Sequence, residues 1–140
     1  MENINLVSIE TVINAPVEKV WEMYTAPEHV VNWNNASPEW HSPKAENDLK
    51  EGGRFNYRME AKDGSAGFDF CGSYTLVEKY SAIEYTMDDN RDVKVVFERK
   101  DASTIVTVVF AAEKSNSVEM QKSGWQSILD NFKMYVEANN

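Results

Sequence analysis

The amino-acid sequence predicts an α+β fold in which a curved antiparallel sheet wraps around a long C-terminal helix, with two short helices after the first strand. Apolar residues recur at every second position through the middle of the chain, and short turn motifs separate these segments. An apolar stripe with helical spacing runs along the end of the chain. The 140 residues, 42% of them hydrophobic, suffice for one compact domain, and we expect residues 1–140 to form it.

The chain begins with a strand and two short helices. Alternating apolar residues predict the strand from Asn5 to Ile13. Pro16 follows it and suits the first position of a helix, because proline has no N–H group to leave unpaired there. Pro27 opens a second short helix that extends through Trp33. The stripe on the first of these helices consists of Val17, Val20, Trp21 and Tyr24.

The next segment, from Asn34 to Asp48, is predicted to be a loop. Pro38 and Pro43 interrupt it, and most of its other residues are small or polar. Trp40 is the large aromatic residue within it, and we expect this side chain to anchor the loop.

From Gly52 onward the spacing of apolar residues changes to two, which predicts half-buried antiparallel strands. Turns are predicted at 63–64, 88–90 and 100–101, where Asp, Asn and Gly residues cluster or a Lys-Asp pair occurs. The inward-facing residues of the strands before the last one are predicted to be Phe55, Tyr57, Met59, Phe68, Phe70, Gly72, Tyr74, Ile83, Tyr85, Met87, Val93, Val95 and Phe97.

The last strand, from Ser103 to Ala112, has apolar residues on both faces. We place Val106, Val108 and Phe110 inside, because Thr107 marks the opposite face as the wetter one. The long helix follows, with capping-box spacing between Asn116 and Glu119. Its apolar stripe, which must pack on the sheet, consists of Trp125, Ile128, Leu129, Phe132 and Val136.

Charge and composition exclude several classes of function. The 23 acidic and 14 basic residues give a net charge of -9, which disfavours binding to nucleic acid or to an anionic membrane surface. Cys71 is the sole cysteine, and His29 and His41 have no partner at metal-ligand spacing, so we expect neither a metal nor a cofactor. No run of residues suggests a signal peptide or a membrane span, and we expect a cytoplasmic protein.

The strongest functional signal is an excess of inward aromatic residues. A core that only needs filling favours Leu, Ile and Val, whereas buried Tyr and Trp need hydrogen-bond partners. We therefore predict a cavity for a small hydrophobic or aromatic molecule, with Trp33 and Trp40 closing its mouth. The long helix supplies its roof and the sheet its floor. The predicted ligand-binding residues are Trp33, Trp40, Phe55, Tyr57, Phe70, Tyr74, Tyr85, Phe97, Trp125, Leu129 and Phe132.

Two glycines invite further interpretation. Gly124 lies inside the long helix, where it is either locally tolerated or leaves room for a ligand beside Trp125. Gly72 lies within a strand, where it either bends the sheet or allows a ligand to approach closely, and we favour the bend.

Several segments, in this order and spacing, resemble one known family. They are INAPVEKVW, APEHVVNW, LKEGGRF, DGSAGFDFCGSY, AIEYT, STIVTV and GWQSILDNFKMYV, and they extend from about Ile9 to about Val136. The chain resembles the family named after the activator of the heat-shock-chaperone ATPase, within the START-like (SRPBCC) helix-grip superfamily. The resemblance implies a helix-grip fold with a hydrophobic cavity, and it leaves the function open.

Ligand binding with little or no catalysis is the first of three functional hypotheses. The second is an enzyme resembling the polyketide cyclases and aromatases of the same superfamily, with Tyr57, Tyr85 and His41 as candidate groups. The third, suggested by the family name, is a co-chaperone that stimulates a chaperone ATPase. In that case the outward residues Ile105 and Val109 would mark a protein interface or a homodimer contact.

Overall fold

A computed structural model describes residues 6–35 and 37–139, and in these ranges the chain forms a seven-stranded antiparallel sheet and three helices. The strands lie in the order β1-β7-β6-β5-β4-β3-β2. The sheet curls around the longest helix, which confirms the predicted α+β class. The elements are β1 (Leu6–Ile13), α1 (Val17–Thr25), α2 (Pro27–Trp33), β2 (Trp40–Asn47), β3 (Arg54–Ala61), β4 (Gly67–Glu78), β5 (Ala82–Met87), β6 (Asp92–Lys100), β7 (Ser103–Ala111) and α3 (Val118–Ala138).

The first strand forms one edge of the sheet and pairs with the last strand. β1 pairs with β7 along its whole described length, from Leu6 opposite Ala111 to Ile13 opposite Thr104. Asn5, the predicted start of the first strand, lies outside the described residues. Pro16 is the N-cap of α1 rather than its first helical residue, whereas the second helix has the predicted bounds.

The predicted loop from Asn34 to Asp48 is wrong, because most of it forms the edge strand β2. This strand pairs with β3, and its register shifts between His41 and Lys44, on either side of Pro43. An edge strand tolerates proline at such a bulge, since one of its sides has no ladder partner. Ser42 also donates its hydroxyl to the Arg58 carbonyl at 2.8 Å, across the irregular pair. Pro43 therefore does not mark a loop in this segment.

The inward face of β7 is the predicted one. Val106, Val108 and Phe110 are at most 3% exposed, whereas Ile105 and Val109 lie half-buried on the opposite face. Each inward residue contributes to the hydrophobic core between the sheet and the helices.

The long helix begins one residue later than the predicted capping box. Ser117 is its N-cap, and the Ser117 hydroxyl accepts a hydrogen bond from the Met120 backbone N–H at 3.1 Å. The Asn116 side chain instead donates to Glu113. Leu129, Phe132 and Val136 on the predicted stripe are buried, and Trp125 and Ile128 are half-buried.

Candidate ligand-binding cavity

A cavity of about 300 Å³ lies between α3 and the concave face of the sheet, with the end of α1 and the end of α2 at one side. This volume is at the lower end of the range for small-molecule sites. Its lining is mainly aromatic and aliphatic. The lining residues are Ile9, Tyr24, Thr25, Trp33, Asn34, Phe55, Tyr57, Met59, Phe68, Phe70, Tyr74, Ile83, Tyr85, Arg91, Val108, Trp125, Ile128 and Leu129.

Eight of the eleven residues predicted to bind ligand line this cavity. They come from α2, three neighbouring strands and α3, which the curl of the sheet brings together. The eight are Trp33, Phe55, Tyr57, Phe70, Tyr74, Tyr85, Trp125 and Leu129.

The other three predicted residues do not line the cavity. Phe97 lies on β6 and packs edge-on against Trp21, with ring centroids 5.2 Å apart, so α1 covers it. Phe132 is fully buried one turn further along α3, in contact with Trp33. Trp40 lies on the edge strand, with its ring centroid 6.0 Å from that of Phe68. The alternation along a strand or helix shows which side chains point inward. It does not show which of these inward side chains reach the cavity.

Phe55 lies at the centre of the aromatic floor. Its ring centroid is 4.9 Å from that of Tyr85 and 5.6 Å from that of Phe70. Gly72 makes this position possible, because a Cβ atom there would lie 2.8 Å from Phe55 Cε1 and 2.8 Å from the Thr86 carbonyl oxygen. No bulge lies at Gly72, because the register of β4 shifts further along, between Tyr74 and Leu76. Glycine is needed here for close packing of the protein on itself.

Trp125 forms the roof on the α3 side. Its ring stacks on Phe110, with centroids 4.1 Å apart and planes 8° apart, and meets Phe70 edge-on at 6.1 Å. The indole is thus held between β7 and β4. Phe68 on β4 is 49% exposed and also lines the cavity, which places the mouth beside it. Trp33, predicted at the mouth, is buried in the inner wall.

One tyrosine hydroxyl is tied to the protein. Tyr74 donates to Asn47 Oδ1 at 2.6 Å, and the Asn47 amide donates in turn to the Thr25 carbonyl at 2.7 Å. Burial raises the pKa of Tyr74 to about 12, although the hydrogen bonds with Tyr57 and Asn47 oppose this rise. This chain of contacts links β4, β2 and α1 at the wall of the cavity.

The other hydroxyls of the cluster are less engaged. Burial raises the pKa values of Tyr24, Tyr57 and Tyr85 well above the usual value, so all three stay protonated at neutral pH. Within the described ranges, no protein group forms a hydrogen bond with the hydroxyl of Tyr24 or Tyr85. These two hydroxyls are donors available to a ligand oxygen.

Several polar residues line the cavity without being among the predicted ligand-binding residues, and the most important are Arg91, Tyr24 and Asn34. Tyr24 belongs to the predicted apolar stripe of α1, which indicates its inward direction but not the role of its hydroxyl. Arg91 follows a turn rich in Asp and Asn, a pattern that indicates solvent exposure. No local signal identified Arg91 or Asn34.

The remaining candidate groups lie elsewhere. His29 Nδ1 is 2.7 Å from the Tyr135 hydroxyl, and His41 lies outside the cavity, 3.9 Å from a Glu60 oxygen. His41 is therefore no longer a candidate catalytic group for the cyclase-like hypothesis. Partial burial and nearby carboxylates raise the pKa of the Cys71 thiol, which disfavours a nucleophile. Over residues 6–35 and 37–139, no cluster of side chains could hold a metal ion.

None of the helices in the described part of the chain is long and apolar enough to cross a membrane.

The curled antiparallel sheet around a long C-terminal helix, with a hollow between them, defines a START-like helix-grip protein. The family model for activator of Hsp90 ATPase homolog 1-like proteins matches residues 14–137, and the chain belongs to that family. This confirms the resemblance seen in the sequence. A comparison with curated proteins finds no match.

Solved structures include close relatives. The chain is 46% identical to an AHSA1-like protein from Aeromonas hydrophila, with a TM-score of 0.91 over 96% of this chain and 94% of that one. It is 47% identical to Chr148 from Cytophaga hutchinsonii, with a TM-score of 0.83 over 95% of this chain and 92% of that one. Protein NE0264 from Nitrosomonas europaea, 16% identical, covers 96% and 95% with a TM-score of 0.81 and shares the fold.

Proposed function

We propose that this protein binds a small, largely aromatic molecule carrying one or two oxygen atoms in the cavity beneath α3. The observation that carries the proposal is the pairing of an apolar space of about 300 Å³ with tyrosine hydroxyls that face it without a protein partner. Each of these hydroxyls is accessible from the cavity and can donate to a ligand oxygen, a hydrogen bond worth about 0.5–1.5 kcal/mol. Membership of a helix-grip family, whose members bind hydrophobic ligands, supports the same conclusion.

The arrangement of the lining suits a flat molecule. Phe70 and Tyr85 present their rings to the space at a large angle to one another, with an interplanar angle of 85°. A planar guest could therefore lie face-on to one ring and edge-on to the other, both of which are favourable aromatic geometries. Tyr24 and Tyr85 would donate to its oxygen atoms.

The test is to fill the cavity and measure binding of 2-naphthol by isothermal titration calorimetry. Ile128 lines the cavity from α3, and Ile128→Trp places a large ring in the space. We expect this variant to stay folded and to lose at least about tenfold in affinity, which corresponds to 1.4 kcal/mol. Native mass spectrometry of protein purified from its own host would then identify a copurifying molecule.

Met134→Trp is the matched control. Met134 lies on the same helix, is 61% exposed and does not line the cavity. We expect its affinity for 2-naphthol to equal that of the wild type. A folded Ile128→Trp variant that binds 2-naphthol as tightly as Met134→Trp would contradict binding in this cavity.

A further inference from the structure

One charged side chain faces the otherwise uncharged cavity. Among the described residues that line it, Arg91 alone carries a charge. It lies between β5 and β6, and its backbone carbonyl accepts a hydrogen bond from the Met87 N–H at 2.8 Å. Arg91 forms an ion pair with Asp89 and its side chain is 24% exposed, so its charge is not isolated against the apolar space. The donors that this ion pair leaves unused are what its position offers to a ligand.

The guanidinium group is held in place but not saturated. Its Nε donates to Asp89 Oδ2 at 2.7 Å, and its Nη1 donates to the Ala111 carbonyl at 3.1 Å. Nη2 has no hydrogen-bond partner in the part of the chain that the structure describes. Arginine has five N–H donors in a planar fork. The two contacts therefore fix its direction and leave donors for a further oxygen atom.

Neighbouring groups at this end of the cavity are also donors. The charge of Arg91 acts on the Tyr85 hydroxyl and lowers its pKa against the larger effect of burial, so the two groups lie within electrostatic range. Tyr24 also lies within electrostatic range of Tyr85, but it raises the pKa of Tyr85. No carboxylate belongs to the described lining. Protonated hydroxyls and a guanidinium group together match a ligand group that only accepts hydrogen bonds.

The acidic residues near Arg91 do not cancel its attraction for an anionic ligand. The turn beside Arg91 carries three carboxylates, of which Asp88 pairs with Arg54, Asp89 with Arg91, and Asp92 with the Thr86 hydroxyl. Asp89 is itself 53% exposed, so water screens much of its effect. Farther along the wall, burial raises the pKa of the Tyr74 hydroxyl, and Asp48 acts on that hydroxyl and raises its pKa further. Because the described lining holds no carboxylate, Arg91 is the charged group that a ligand oxygen can contact there.

We propose that the ligand is an aromatic carboxylic acid whose carboxylate binds Arg91 at the β5–β6 end of the cavity, with its ring among Phe55, Phe70 and Trp125. Arginine and carboxylate form charge-assisted hydrogen bonds, which are stronger than those between neutral groups. This inference rests on the proposed function, because it requires a ligand in the same cavity.

The experiment compares naphthalene-2-carboxylate with naphthalene-2-carboxamide by calorimetry at pH 7. The two probes share ring and shape and differ in charge. We expect the carboxylate to bind about tenfold more tightly to the wild type. In Arg91→Gln its affinity falls about tenfold, while that of the amide changes by less than about twofold. Unchanged amide binding also shows that this variant is folded.

Two further variants sharpen the result. Arg54→Gln removes an arginine paired with Asp88 beside the same turn but outside the cavity, and we expect both affinities to stay unchanged. Asp89→Asn removes the competing carboxylate and should tighten binding of naphthalene-2-carboxylate alone. Equal binding of both probes by the wild type, or an equal loss of both in Arg91→Gln, overturns the inference and leaves the proposed function standing. If neither probe binds the wild type, both proposals fail.

Discussion

The concave side of the molecule has two regions that differ in packing. Where α1 packs on β6 and β7, beside the second half of α3, the interior is close-packed, and several side chains are completely inaccessible. In the other region, where the first half of α3 faces β3, β4 and β5, Phe70, Trp125 and Ile128 are only half-buried around the cavity. The completely inaccessible set includes Val20, Val95, Val106, Phe132 and Val136.

Side-chain shape explains much of this difference. Compact β-branched residues interdigitate at the density of an organic crystal. On the open side aromatic rings predominate, such as Phe55 and Tyr85, whose planes are 79° apart. Each tyrosine hydroxyl there needs a polar neighbour, which disfavours close packing by apolar groups alone. One sheet therefore stabilises the fold at one end and holds a space open at the other.

The first prediction tests the packed region. Phe132→Ala should lower the free energy of unfolding by about 3–5 kcal/mol, because Phe132 is fully buried and its ring lies 4.8 Å from that of Trp33. Phe70→Ala removes an equal volume beside an existing space, from a residue that is half-buried, and should cost about half as much or less. Urea denaturation of both variants measures the two losses. Equal losses would mean that the two regions are packed alike.

The second prediction concerns the hydroxyls on the open side. Burial raises the pKa of Tyr85, so the native chain keeps a proton that the unfolded chain releases above about pH 10. Stability therefore falls as the pH rises through this range. Between pH 9 and pH 11 the wild type should lose about 1.4 kcal/mol more than Tyr85→Phe. Urea denaturation at each pH gives both curves.

Tyr85→Phe also has an internal control. Since no described protein group forms a hydrogen bond with this hydroxyl, the variant should match the wild type at pH 7 to within about 1 kcal/mol. Alkaline curves that run parallel for the two proteins would show that Tyr85 is not titrated differently in the folded chain.

Local pattern predicted the architecture well. Alternation located the strands from β3 to β7, and helical spacing located α3 with its buried stripe. It failed at β2, where Pro43 lies in an edge strand and breaks the pattern. Proline restricts one residue and one donor, and an edge strand can accommodate both restrictions at a bulge. The sequence alone does not show which strand will be at an edge.

The site was only partly predictable for a different reason. Tyr85 and Phe97 have the same inward phase on adjacent strands, yet one lines the cavity and the other lies beneath α1. The alternation pattern determines which face of the sheet a side chain is on. Whether that side chain reaches the cavity depends on which helix covers its strand. Arg91 shows the converse case. A polar residue after an acidic turn is expected in solvent, and only the curl of the sheet brings it to the cavity.

The smallest predicted effect lies on α3 in the open region. Gly124 is half-buried in α3 beside Trp125, and a Cβ atom there would have no heavy atom within 4 Å. Gly124→Ala should therefore raise the free energy of unfolding by about 0.5–1 kcal/mol, since alanine restricts the unfolded chain more than glycine does. Because Gly124 does not line the cavity, the affinity for 2-naphthol should stay the same. A folded variant that binds 2-naphthol more weakly would instead mean that the guest extends past Trp125, and that the missing side chain leaves room for it.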